Sequence, residues 1–174
     1  AVTVLTLETQ PVPLTRDLTG RLTPSLIAEV RPQVTGIIRE RLFTEGSFVE
    51  AGQVLYQLDD ATYRADVSSA KASLARAKAL QEAAQLRAKR SSELIKSNTI
   101  SDQENETSSA ALRETEADVA VATAELDRAK VMLGYTQITA PISGNVGKSS
   151  VTQGALVTAN QEISLATIQQ LDPI

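Results

Sequence analysis

Two kinds of hydrophobic spacing divide the chain, and each predicts a different element. From Ala1 to Asp59, short β-branched and aliphatic runs are interrupted by Pro11, Pro13, Gly20, Pro24, Pro32, Gly36, Gly46 and Gly52, the texture of strands and turns. That texture returns after Gly134, with Pro141, Gly144, Gly147 and Gly154 as punctuation. Between Gly52 and Gly134 there is no Gly and no Pro, while Ala, Leu, Glu, Lys, Arg and Gln abound. Those are the residues a helix tolerates best, so the middle is predicted helical.

Within the middle, apolar and small residues recur at alternating spacings of four and three. One series runs Tyr63, Val67, Ala70, Leu74, Ala77, Gln81, Ala84, Ala88, Ser91, Ile95. A second runs Ser101, Asn105, Ser108, Leu112, Thr115, Val119, Ala122, Leu126, Ala129, Leu133. This is the spacing of a coiled-coil seam. Residues 60–133 carry 23 charged side chains, and an even scatter would put about six on these twenty positions; none is there. Ser101 and Glu104 form a capping box, so a second helix starts at 101 and the turn lies near 97–101. Folded antiparallel, positions whose numbers sum to 196 meet. Leu74 then faces Ala122, Ala77 faces Val119 and Ala70 faces Leu126, large against small, as close helices require. Toward the turn the layers become polar, with Ala88 against Ser108 and Ser91 against Asn105. About 35 residues per arm predict a rod of about 50–55 Å.

The two β-rich flanks repeat one another at an offset of 108 residues. Val34 matches Ile142, Gly36 matches Gly144, Ile38 matches Val146, Gly46 matches Gly154, Val49 matches Val157, Gln53 matches Gln161 and Leu55 matches Ile163, with no gap. Recurrent glycines mark common turns and recurrent apolar residues mark common inward faces, so two equivalent half-sheets are expected to close into one small core. The expected class is α+β, a split β-sandwich interrupted by a long antiparallel helical hairpin.

Composition narrows the chemistry. The 174 residues suffice for one domain or two small ones with real cores. A net charge of −4 and 3% aromatic content leave neither a basic groove nor stacking platforms, so no nucleic-acid partner is expected. His and Cys are absent, which removes the imidazole base, the thiol nucleophile and the two commonest transition-metal ligands. Any catalysis would then fall to carboxylates, Lys, Tyr or hydroxyls, and no catalytic, cofactor-binding or metal site is expected. Asp59 and Asp60 sit side by side where the first helix begins, and capping its positive end explains them. No run of about 18 apolar residues is present, so any membrane anchor is expected outside this chain.

Four segments in order, AEVRPQVTGII (28–38), YTQITAPISGNVG (135–147), VTQGALV (151–157) and QLDPI (170–174), resemble the periplasmic adaptor, or membrane fusion, proteins of resistance-nodulation-division (RND) tripartite efflux pumps. The resemblance covers nearly the whole chain. It implies that residues 26–59 and 134–171 are the halves of a split lipoyl-like β-sandwich and that 60–133 form the α-helical hairpin. Residues 1–25 would be incoming strands of an incomplete β-barrel and membrane-proximal region, and 172–174 the start of the barrel. It further implies a non-catalytic adaptor in the periplasm, attached to the inner membrane of a Gram-negative bacterium. Its partners would be an inner-membrane RND transporter, an outer-membrane TolC-type channel and further adaptors in a ring. The tip resembles the family's Arg-Leu-Ser signature, which here falls on Arg90, Leu94 and Ser101 and implies channel contact. Capping alone also accounts for Ser101.

Other functions share the split base. Lipoyl and biotinyl carriers present a modifiable lysine in a tight turn between the halves, where this chain has its helical arm. Adaptors of type I secretion or major-facilitator exporters remain the nearer alternative, although the Leu-Asp-Pro-Ile ending favours the RND branch.

Overall fold

Both period-two flanks fold into short strands around one core, and the glycine-free middle forms two long helices. The computed structural model describes residues 1–4, 15–16, 23–96 and 100–171. The strands are β1 (Leu26–Val30), β2 (Gly36–Arg41), β3 (Phe48–Val49), β4 (Val54–Leu58), β5 (Gln137–Thr139), β6 (Gly144–Val146), β7 (Leu156–Val157) and β8 (Ala166–Gln170). The helices are α1 (Ala61–Lys96) and α2 (Asp102–Gly134). The incoming strands expected within 1–25 fall largely outside the described residues. So do 172–174 and positions 97–99 of the expected turn.

Neither flank builds a sheet alone. One sheet has the order β1-β8-β6-β3 and the other β5-β4-β2-β7, all antiparallel. Exchanging the flanks turns one order into the other, so the base has an internal two-fold relation. The hydrogen bonds repeat with it. Gly46 N–H donates to the Val146 carbonyl at 2.8 Å and Gly154 N–H to the Ile38 carbonyl at 2.8 Å. In the next turn Glu50 N–H donates to Gln53 Oε1 and Thr158 N–H to Gln161 Oε1, both at 3.1 Å. Gly52 there has φ +85°, and its counterpart Asn160 has φ +55°; after glycine, Asn is among the residues that most readily enter the left-handed region.

The repeat needs one correction. The ladders pair Ile38 with Leu58 and Val146 with Ile168, so the offset has become 110 by the last strand. Glu162 and Ile163 are two extra residues after the second turn. Leu55 therefore corresponds to Leu165, both fully buried, and not to Ile163, which is 69% exposed. An insertion of two residues leaves every later side chain on the same face, which is why the ungapped match still set apolar against apolar.

The core takes symmetric pairs from both flanks: Val30 and Ile138, Ile38 and Val146, Phe43 and Val151, Val49 and Val157, Leu58 and Ile168. Tyr56 breaks the pattern, its counterpart being Ala166. Its ring stands edge-on to Phe43 at 5.2 Å. Its hydroxyl lies 2.7 Å from Ser149 Oγ and 3.1 Å from the Leu165 carbonyl oxygen. Burial raises this phenol above its usual pKa, against the lowering effect of the Ser149 bond and Arg41. A buried hydroxyl with such partners is satisfied rather than costly.

In the hairpin the seam is visible as a line of shielding. All ten α1 positions of the sequence pattern are partly or fully buried, and every other residue of α1 is exposed. On α2 nine of the ten are shielded; Ser101 is exposed, and Ser109 and Met132 join them. Met132 does so because it packs on the sandwich core, as does Tyr63, whose hydroxyl donates to the Thr35 carbonyl at 2.8 Å. At the start of α1, Asp59 Oδ1 accepts from Ala61 N–H at 3.2 Å and Asp60 pairs with Arg64 at 2.7 Å. Both carboxylates serve the helix terminus.

The two-fold relation is not sterically even, and this is testable. A β-carbon on Gly144 would lie 2.5 Å from the Gln169 carbonyl oxygen, whereas one on the equivalent Gly36 would meet Leu58 Cβ at 3.4 Å. Gly144→Ala is expected to cost about 2–3 kcal/mol and Gly36→Ala under about 1 kcal/mol in urea unfolding. Equal losses would contradict the asymmetry. The helix register is checked by cysteines at Ala70 and Leu126 in this cysteine-free chain. A disulfide is expected to form readily there, since it needs Cα atoms within about 7 Å, and not at pairs shifted by one heptad.

Candidate functional site at the hairpin tip

Seam geometry decides what the distal helix surface can offer. Ser91 is buried and Ile95 half-buried against α2. Arg90 and Leu94 each stand one residue earlier, so they share a flank one helical turn apart, about 6 Å along the axis. Arg90 is exposed, and its Nε donates to the Leu86 carbonyl of its own helix at 3.3 Å. Leu94 is 44% exposed. The pair presents a cation beside an apolar side chain, a combination suited to a protein surface.

Ser101 opens the other helix. Its backbone is extended (φ −78°, ψ 153°) and its hydroxyl accepts from Glu104 N–H at 3.3 Å. It is the N-cap of α2, with Asp102 and Glu104 in the positive first turn. The structure thus brings Arg90 and Leu94 together on one face and gives Ser101 a local structural role.

The layer behind Arg90 contains something that pattern reading did not reveal. Ser91 Oγ and Asn105 Oδ1 are buried and have no hydrogen-bond partner. Each such atom costs about 1–3 kcal/mol. The sequence showed polar residues meeting here, but not that their polar atoms go unpaired.

Charge is sorted between the arms. α1 carries eight Lys or Arg and three Asp or Glu, a net +5, whereas α2 carries three and eight, a net −5. Among the described residues the ion pairs on the arms are local, Arg64 with Asp60 and Lys130 with Asp127, and none bridges the two helices. The charges therefore face outward.

Elsewhere the surface offers little reactive chemistry. Two adjoining open grooves of about 480 and 530 Å³ lie where α2 meets the sandwich, sharing Arg31, Gln33, Tyr135 and Thr139. Arg31 is engaged by Glu29 at 2.6 Å and by the Gln161 carbonyl at 3.3 Å. Among the described residues no group of three or more His, Cys, Asp or Glu could hold a metal ion, and no helix is long and apolar enough to cross a membrane. Every lysine between β4 and β5 lies on α1 or α2, so none occupies the tight turn that a carrier domain would use.

A family model and curated relatives carry the family. Residues 26–169 match the family description "RND MFP, barrel-sandwich hybrid domain". The chain is 50% identical over 173 residues to the multidrug export protein AcrE of Escherichia coli K12, covering 99% of this chain and 45% of that protein. It is 49% identical over 174 residues to the multidrug efflux pump subunit AcrA of the same organism, covering all of this chain and 44% of that one. The chain thus spans less than half the length of these curated relatives. A solved MacA–MexA chimera carrying the Pseudomonas aeruginosa MexA α-hairpin domain superposes with a TM-score of 0.54 at 30% identity, over 84% of this chain and 49% of the chimera.

The two halves of the tip separate in stability measurements. Ser101→Ala is expected to lose about 1 kcal/mol, and Ser101→Asp, which keeps a capping oxygen, to lose little. Arg90→Ala is expected to stay within about 0.5 kcal/mol. Chemical denaturation of the three variants checks this ordering, and an Arg90→Ala loss above that of Ser101→Ala would reverse the assignment.

Proposed function

The chain belongs to the RND membrane fusion proteins, and from that premise we propose that it is the hairpin-bearing part of a non-catalytic periplasmic adaptor. The adaptor joins an inner-membrane RND transporter to an outer-membrane TolC-type channel and is held at the inner membrane of a Gram-negative cell. One observation carries the reading: a 36-residue helix doubled back by a 33-residue helix, about 54 Å of arm, stands on a small clamped base. Such a rod spans distance, and its exposed Arg90 and Leu94 lie at the far end. AcrE and AcrA, which match the chain along its whole length, are named for multidrug export and efflux.

Self-association into a ring is the finer part of the proposal. An arm of net +5 beside an arm of net −5 suits side-by-side packing, α1 of one copy against α2 of the next. That contact is heterologous, and heterologous contacts close into rings when the rotation permits. Electrostatic complementarity of this kind fixes orientation and register more than affinity.

Channel contact is assigned to Arg90 and Leu94, with Ser101 holding the start of α2 in place beside them. Removing an exposed arginine from a free helix costs little, whereas a guanidinium docked on a partner can donate several fixed hydrogen bonds. Arg90→Asp and Leu94→Asp in the full-length protein are each expected to abolish drug resistance in a complemented deletion strain, with melting temperature unchanged. Ser101→Asp is expected to keep resistance. Full resistance in both Arg90→Asp and Leu94→Asp would place the contact elsewhere.

A further inference from the structure

The seam of the arm changes character along its length. Toward the base it holds Val67, Leu74, Val119, Leu126 and Leu133. Outward of Leu112 its α2 residues are Ser108 and Asn105, and those of α1 are Ala84, Ala88 and Ser91 before Ile95. Among the described residues beyond the Ser91 layer, the large apolar side chains that are partly buried are Ile95 on the seam and Ile100 just before α2. At that layer Ser91, itself 7% exposed, and Asn105 each bury a polar atom that finds no partner.

We propose that the Ser91–Asn105 layer is a built-in parting point, at which α1 and α2 separate as the tip docks, so that the parted arm is the form that binds the channel. This rests on the adaptor reading above. Parting at this layer returns both orphaned atoms to water and gives up the partial shielding of Ile95 and Ile100 alone. Parting that runs on nearer the base would expose further apolar layers and hydrate no additional orphan. The parted form is therefore the most accessible alternative of the arm, a low-lying local opening. A partner that binds it better than the closed form draws the population toward it. Arg90 and Leu94 flank the layer on α1, so separation re-aims both while leaving the base of the rod intact.

The test uses the full-length protein with Ser91→Ala and Asn105→Leu, which replace the layer by apolar groups of similar size. Hydrogen exchange of amides 86–95 and 102–110 is expected to slow about tenfold or more, with amides 63–77 and 119–133 unchanged. In cells the variant is expected to lose resistance although its melting temperature does not fall. A second variant, Ser91→Cys with Asn105→Cys, closes the layer reversibly. Its oxidised form is expected to exchange slowly and fail to retain the purified channel, and reduction to restore both. Exchange at the wild-type rate in the apolar variant overturns the proposal, as does slowed exchange with full resistance or with channel retention by the oxidised form. Failure of the adaptor reading itself would show in the wild-type arm, as a deletion strain that the unmodified protein does not rescue.

Discussion

The pairing of β4 with β5 is the constraint on which the arm depends. Gln57 stands opposite Gln137, and Leu58 N–H donates to the Thr136 carbonyl at 2.8 Å. Neighbouring strands lie about 4.8 Å apart, so the chain leaves the sheet into α1 and returns from α2 within one strand spacing. The two helices have no choice but to run antiparallel and in contact. Tyr63 and Met132, packed on the sandwich core, set their rotation at the root. Register is thus imposed from the base, and the seam needs only to sustain it. Small residues suffice for that, as at Ala77, Ala84 and Ala122, the buried apolar positions of the seam besides Leu126.

Holding the arm from one end has an energetic counterpart. Apolar layers near the base reinforce a register already fixed by β-pairing, while the distal third is held mostly by Ala, Ser and Asn, with Ile95 near its end. Opposite net charges on the two arms add little inside the hairpin, because the described charges do not pair across it. They instead give the two outward faces of the arm opposite sign.

Much of this was legible in the residue order. The four-three spacing predicted all of the shielded positions of α1, because a two-helix seam is a local periodicity. The flank repeat was equally plain in Gly36 and Gly144, Gly46 and Gly154, since turns tolerate few substitutes. The shift from 108 to 110 was not legible, because Glu162 and Ile163 preserve the alternation and only the ladder reveals them. Nor was the exposure of Ser101, whose capping demand takes precedence over its seam position. The tip residues Arg90 and Leu94 were recognised by family likeness; their periodicity shows only that they lie off the seam. The orphaned atoms of Ser91 and Asn105 depend on rotamers, which no pattern of residue types encodes.

The interleaving of the flanks also orders the assembly of the chain in time. Joining β4 to β5 directly would close a loop of the 78 residues between Leu58 and Gln137, at an entropic cost of about 4 kcal/mol. Helix and hairpin contacts, being local in sequence, form orders of magnitude faster than distant strand pairs. Once α1 and α2 have zipped together, the ends of that loop already lie side by side, and the remaining closure is short. The arm is then a scaffold for the birth of its own pedestal. A nascent chain that has emerged only through β4 can pair β2 with β4, but β1 and β3 have no partner until β8 and β6 arrive, and it must wait for the returning helix before any sheet is whole.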